Sequence, residues 1–209
     1  MIMQAEAKFW DRLARKYAAS PIKNMTAYEA TLARVQARLG ADDNVLEMGC
    51  GTGTTALRLA GGVAHYTGTD LSSGMIDVAR EKLAESWLPN VTFTVAPAVE
   101  TRFERASYDA VLSFNLLHLL EDVPAALSRA HDLLKPGGLL ITKTPCLAQM
   151  GLHVRMMVPV MRFFGKAPYV GFFNAAELSL MIERAGFALE ESRSFEGAPN
   201  ALYVVARRL

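Results

Sequence analysis

Apolar residues recur at helical spacing through the first forty positions, at Phe9, Leu13 and Tyr17 and then at Tyr28, Leu32, Val35 and Leu39, with a break around Ser20-Pro21. The pattern predicts an N-terminal helical cap over residues 1–40. From Asn44 the texture changes to short apolar runs separated by glycine-rich or polar turns and by longer amphipathic stretches. Strands are expected at 45–48, 66–69, 91–95, 110–114 and 139–142, and helices at 54–60, 73–86 and 123–134. Strands alternating with helices of this length imply an α/β fold, a parallel sheet covered on both faces by right-handed crossovers. The tail reads differently. A helix over 175–185 stops at Gly186, and strands at 188–194 and 202–206 share the short turn Gly197-Ala198-Pro199-Asn200, which forces them antiparallel. No internal repeat, low-complexity segment or linker interrupts the chain, so one domain is expected over 1–209.

Composition narrows the function classes. The 209 residues suffice for a core without disulfides, and 51% of them are hydrophobic. The 22 Lys and Arg nearly balance 21 Asp and Glu, with no basic run, which argues against nucleic acid as a partner. Cys50 and Cys146 make neither a disulfide framework nor a metal cluster, and His65, His131 and His153 are scattered, so no metal site is expected. A reducing, cytoplasmic setting fits the cysteine usage, and the first residues never build the apolar stretch of a signal peptide. The most apolar segment, 146–164, is broken by Gln149, His153, Arg155, Pro159 and Arg162 and is too polar for a transmembrane span. Peripheral membrane contact and oligomeric state stay open.

The informative segment is Val45-Leu46-Glu47-Met48-Gly49-Cys50-Gly51-Thr52-Gly53-Thr54-Thr55, an apolar strand running into alternating glycines and then a helix. Glycines there permit a tight turn and let a ligand approach the backbone, and the helix N-terminus that follows favours an anionic group. Asp70, at the end of the second expected strand, is placed to accept hydrogen bonds from ribose hydroxyls. Capping the helix over 73–86 is the alternative role for this carboxylate. A nucleoside-bearing cofactor follows. The spacing Gly-x-Gly-x-Gly departs from the dinucleotide fingerprint, and none of the six tyrosines has a lysine four residues later, which disfavours a nicotinamide oxidoreductase.

Glu47-x-Gly49-x-Gly51-x-Gly53, Asp70, Tyr108-Asp109-Ala110-Val111 and Leu133-Leu134-Lys135-Pro136-Gly137-Gly138-Leu139, in that order, resemble the successive motifs of class I S-adenosylmethionine-dependent methyltransferases. The flavour is similar to the ubiquinone/menaquinone-biosynthesis type, as is the opening Phe9-Trp10-Asp11-Arg12-Leu13-Ala14-Arg15-Lys16-Tyr17. The resemblance implies a Rossmann-like seven-stranded sheet of order 3-2-1-4-5-7-6 with strand 7 antiparallel. It also implies S-adenosylmethionine as cofactor and S-adenosylhomocysteine as product. Carried over by position, Glu47 and the loop Gly49, Cys50, Gly51 and Gly53 would hold the methionyl end, with Tyr17 closing over it. Asp70 would take the ribose, Leu71 and Met75 the adenosine side, and Pro97, Ala98 and Val99 the adenine. Phe114 and Asn115 would face the transferred methyl. Relatives usually carry an acidic residue after the third strand to accept the adenine amino group; here Ala96-Pro97-Ala98 offers no such acceptor, leaving backbone groups, apolar sandwiching or Glu100.

Methyl transfer needs alignment more than acid–base chemistry. Asn115 and His118 are the catalytic candidates, His118 because imidazole titrates near neutrality. The segment 146–174 is a candidate substrate cover: Met150, Met156, Met157 and Met161 suit an adaptable apolar lid, with Arg155 or Arg162 available for an anionic group, or else Met150, Val154, Met157, Met161 and Phe164 pack inward as core. The expected function is methyl transfer by in-line displacement to a small-molecule acceptor, with a lipophilic one among the candidates. A non-catalytic S-adenosylmethionine-binding or regulatory module is the alternative.

Overall fold

The computed structural model describes residues 2–100, 102–149, 152–163 and 167–209. Helices α1 (Ile2–Ala19) and α2 (Met25–Gln36) form the N-terminal cap. They part at Pro21, and α2 restarts where the Asn24 side chain accepts the Ala27 N–H at 2.9 Å. The alternating body follows as β1 (Asn44–Met48), α3 (Thr54–Leu59), β2 (His65–Asp70), α4 (Ser73–Ala84), β3 (Val91–Val95), β4 (Tyr108–Phe114), α5 (Val123–Leu133) and β5 (Leu134–Pro145). Then come α6 (Leu152–Phe163), α7 (Ala175–Arg184), β6 (Phe187–Phe195) and β7 (Ala198–Arg208).

The strands form one sheet of order β3-β2-β1-β4-β5-β7-β6, with β7 antiparallel to both its neighbours and the other pairings parallel. This is the order the sequence motifs implied. Side-chain alternation buries both faces. Val45, Tyr66, Phe93 and Leu112 pack against Leu32, Val35, Ala56, Ile76 and Ala79 from α2, α3 and α4. Leu46, Met48, Val111 and Leu140 pack on the opposite side against α5 and α7 through Leu127, Leu133, Leu178 and Ile182. Among the described residues no helix is long and apolar enough to cross a membrane.

Two boundaries differ from the sequence expectation. β5 begins at Leu134, paired with Tyr108, but the next pair is Ala110 with Leu139, so Lys135-Pro136-Gly137-Gly138 loops out as a bulge. The final hairpin turns at 196–197, earlier than expected, with Gly197 at φ +76 and Phe195 opposite Ala198. Pro199 is tolerated inside β7 because pairing with β5 starts only at Ala201, so one edge of β7 is open there.

Asp109 fastens the lower end of the sheet. Its carboxylate accepts the Asn44 N–H at 2.9 Å and the Lys135 ammonium at 2.7 and 2.8 Å, joining the starts of β1 and β4 to the β5 bulge. Asp109→Ala should cost ~1–2 kcal/mol in denaturant unfolding, the range for a partly buried charged hydrogen bond. Binding at the far end of the sheet should be unchanged, and a loss of ligand affinity would assign Asp109 a different role.

Candidate active site

A cavity of about 300 Å3 lies where β1 to β4 end, at the point where the strand order reverses between β1 and β4. Doubly wound sheets bind ligands in this crevice. Its floor is backbone. β1 runs into Gly49 at φ +73 and Gly51 at φ +54, both lining the cavity, and a Cβ on Gly49 would meet Leu116 at 2.8 Å. Gly53, at φ +74, turns the chain into α3; a Cβ there would stand 2.7 Å from Phe93 and 2.9 Å from Ala79. The loop therefore requires left-handed backbone at all three positions and open space at two.

Asp70 ends β2 beside this loop. Its carboxylate accepts the Gly51 N–H at 3.0 Å and the Ser72 N–H at 2.9 Å, which fixes its rotamer with oxygen lone pairs left for a ligand. Burial raises its pKa, and those backbone donors oppose the shift. Leu71 and Met75 form one wall, while Pro97, Ala98 and Val99 with Ala96 form another after β3. Phe114 and Asn115 close the β4 side; Asn115 sits at φ 55, a conformation asparagine tolerates better than most residues, with its N–H donated to Lys143 O at 2.8 Å. From above, α1 contributes Glu6, Trp10 and Tyr17, and the segment before α7 contributes Tyr169.

Four expected residues do not line the cavity. Glu47 shares a sheet face with Tyr66 and points beneath the loop, 2% exposed, accepting the Tyr66 hydroxyl at 2.9 Å. Cys50 is buried with its thiol directed at Gly51 O, and burial pushes that thiol well up. Gly53 is occupied by its contacts with Phe93 and Ala79. His118 lies in the turn Leu117–Leu119; burial lowers its pKa to about 4, and its Nδ1 is buried without a hydrogen-bond partner among the described residues. Its carbonyl accepts the Gly171 N–H at 2.7 Å, so its main chain anchors the segment that carries Tyr169. Glu100 is held by Arg102 through its N–H at 3.0 Å and its guanidinium at 3.1 Å, and is not among the described lining residues.

Sequence reasoning missed Glu6, Trp10, Leu116, Leu119, Leu120, Glu121, Asp122 and Tyr169. Helical spacing carried part of the signal: Glu6, Trp10 and Tyr17 fall on one face of α1, and Leu116, Leu119 and Leu120 follow the same period. The methionine lid takes a different form. Met150 and Phe164, and the side chains of Val154, Arg155 and Met156, lie outside the described residues, while Met157 is half-exposed rather than inward. What α6 brings to the cavity rim is Arg162, paired with Glu121 at 2.7 Å.

A model of the methyltransferase domain matches residues 45–138. A demethylmenaquinone methyltransferase of Staphylococcus aureus is 31% identical over 179 residues, covering 76% of this chain and 73% of that protein. The chain belongs to the class I S-adenosylmethionine-dependent methyltransferases. The methyltransferase is also 32% identical over 145 residues to the highly reducing polyketide synthase PKS2 of Leptosphaeria maculans, of which it spans 6%. The [4+2]-cyclase SpnF superposes with a TM-score of 0.80 at 17% identity, over 100% of this chain and 96% of that one, a likeness of fold alone. S-adenosylmethionine is the cofactor of the family, and the cavity suits it. The floor is bare backbone at Gly49 and Gly51, the Asp70 carboxylate stands beside it, and the described lining includes Glu6, Asp70, Glu121 and Asp122 but no lysine or arginine to repel a cationic ligand.

Glu47 makes the methyltransferase pH-sensitive. Burial raises its carboxyl from 4.5 to about 7; the Tyr66 hydrogen bond opposes the rise and the nearby Asp70 charge adds to it. Between those values the folded protein holds a proton that the unfolded chain has released, so stability falls as pH rises through the window and levels off above it. Glu47→Gln should abolish this slope, so that wild type loses ~3 kcal/mol relative to the variant across the window. Denaturant unfolding of both proteins stepped through that pH range checks it, and parallel stability profiles would mean that Glu47 ionises normally.

Proposed function

We propose that the enzyme methylates a small, largely apolar acceptor by in-line displacement, with the cofactor held by the floor and walls that β1, β2 and β3 supply. The observation that carries this reading is the roofed cavity, whose floor is bare backbone and whose far side toward β4 is walled by Leu116, Leu119 and Leu120. In this reading Asp70 accepts the ribose hydroxyls, Gly49 and Gly51 let the methionyl end lie against the main chain, and Leu71, Met75, Pro97, Ala98 and Val99 sandwich adenine. Glu47 and Cys50 act from beneath, setting the shape and charge of the loop, and Gly53 sets its turn. When bound, the cofactor would supply an electrophilic sulfonium methyl to the acceptor's lone pair, with S-adenosylhomocysteine as the leaving product. The protein's part is to orient the acceptor and exclude water. Asn115 lines the cavity and serves orientation; His118, outside it, holds the adjoining turn. Residues 146–174 act as the acceptor cover, with Tyr169 as their contribution to the wall. A roofed cavity and a net charge of +1 both favour a small molecule over a nucleic acid.

Titration calorimetry with S-adenosylhomocysteine tests the reading. Binding is expected, and Asp70→Ala should weaken it ~10–100-fold, the value of charged hydrogen bonds to a ligand. With Pro97 where relatives carry an acceptor, S-inosylhomocysteine should bind within ~10-fold of the adenosine compound, because no carboxylate reads the amino group. Absence of binding would overturn the proposed cofactor site.

A further inference from the structure

The acceptor end of the cavity has a charge pattern distinct from its apolar walls. Trp10, Leu119, Leu120 and Tyr169 surround it, and two carboxylates, Glu6 from α1 and Glu121 from the β4–α5 loop, stand at its rim. Glu6 accepts the Tyr169 N–H at 3.2 Å, which ties the roof helix to the cover segment. One guanidinium serves both acids: Arg162 is 2.7 Å from Glu121 and 3.6 Å from Glu6, and lies 5.0 Å over the Tyr169 ring. Two carboxylates sharing one arginine leave a net negative charge. Asp122 adds to it, although its carboxylate is engaged with the Ala125 N–H at 2.8 Å, and no described lining residue is basic.

The geometry points to an acceptor with an apolar body and a polar end that donates hydrogen bonds and carries no negative charge, a hydroxyl or an amine, with Glu6 and Glu121 as its specificity determinants. The body is buried against the leucines and the two aromatic rings. The donor end meets carboxylate oxygens that Arg162 satisfies only in part, since one planar fork cannot saturate four oxygens. An acceptor ending in a carboxylate or phosphate would have to strip Arg162 from Glu121, leaving both acids facing a like charge. Arg162 thus sets how much negative charge the rim retains, which makes it a positioning residue for the two acids.

This inference rests on the small-molecule reading above, and the test separates the two. Protein saturated with S-adenosylhomocysteine is titrated with octylamine, octanol and octanoate, three probes that share a body and differ at the head. Octylamine should bind tightest and octanoate ~10-fold or more weaker. Glu6→Gln combined with Glu121→Gln should bring the three within ~3-fold. Arg162→Met, which frees both acids, should widen the amine-over-carboxylate ratio. Retained affinity for S-adenosylhomocysteine reports that each variant is folded, and the exposed Glu121→Gln substitution alone should narrow the ratio if the double variant does not fold. Octanoate binding as tightly as octylamine, binding by none of the probes, or a ratio indifferent to these substitutions would overturn the inference. Failure of S-adenosylhomocysteine itself to bind would overturn the reading beneath it, and this inference with it.

Discussion

At the reversal point of the sheet, the Asp70 carboxylate accepts the Gly51 N–H and the Ser72 N–H while the Cys50 N–H is donated to Thr69 O at 2.8 Å. These bonds tie the glycine turn after β1 to the end of β2. Without them the turn would be a chain of left-handed residues whose conformational freedom opposes folding. With them it becomes a rigid floor. The same carboxylate that organises the floor also lines the cavity, so the proposed ribose recognition and local folding use one side chain. Gly49 and Gly53 complete the constraint: Leu116 and Phe93 approach so closely that any side chain at either position would have to displace them.

The roof is held by weaker means than the floor. Helix α1 packs on α4 through a small apolar group, Ala14 with Met75 and Val78 and the flanks of Trp10 and Ala18, which is separate from the two large core clusters. Asp11 adds polar fastening by accepting the Ser72 hydroxyl at 2.6 Å and the Gly74 N–H at 2.9 Å, and Arg15 pairs with Glu81 on the exposed side. An exposed pair of that kind contributes little. A helix attached by one small cluster belongs to the low-stability end of the fold, where openings cost least. Met75 is shared, since it packs α1 and lines the cavity, so a ligand pressing on Met75 also bears on the roof.

The sheet was legible in the sequence because its signals are local. Buried parallel strands such as 45–48 and 110–114 read as short, mostly apolar runs, and the glycine turn and Asp70 sit at strand ends where chain order alone fixes their proximity. The order of the strands came from the motif resemblance, while the antiparallel tail came from the shortness of its turn. What stayed hidden depends on tertiary approach. Nothing in the composition of Glu6, Glu121 and Arg162 says that three elements far apart in sequence bring them to one rim. Glu47 was legible as a motif residue but not in its orientation, which follows from the strand pleat and from Tyr66 on the same face. His118 was a candidate base because imidazole titrates near neutrality, with a packed, non-catalytic role as the alternative; burial lowers it to about 4, and it is not among the described residues that line the cavity. The hairpin turn was misplaced because Pro199 looked like a breaker, and only the register shows that one edge of β7 is open there.

In the proposed reading, charge gives one cavity a means of favouring the cofactor before transfer over the product after it. The described lining carries acids from α1, β2 and the β4–α5 loop and no basic residue. Among the described residues, Arg162 offsets part of the rim charge by pairing with Glu121, and Lys143 is held on Ala27 O at 3.2 Å and Thr31 at 2.8 Å. A field of that sign stabilises a positive ligand, more strongly in a partly water-excluded cavity than in bulk. The sulfonium of S-adenosylmethionine is positive, and the thioether left after methyl transfer is neutral. Apolar contacts with Leu71, Met75 and Val99 do not distinguish the two states, because the adenosine they would touch is the same in both. In that reading the acidic lining is what distinguishes them, through side chains that need not touch the methyl group at all.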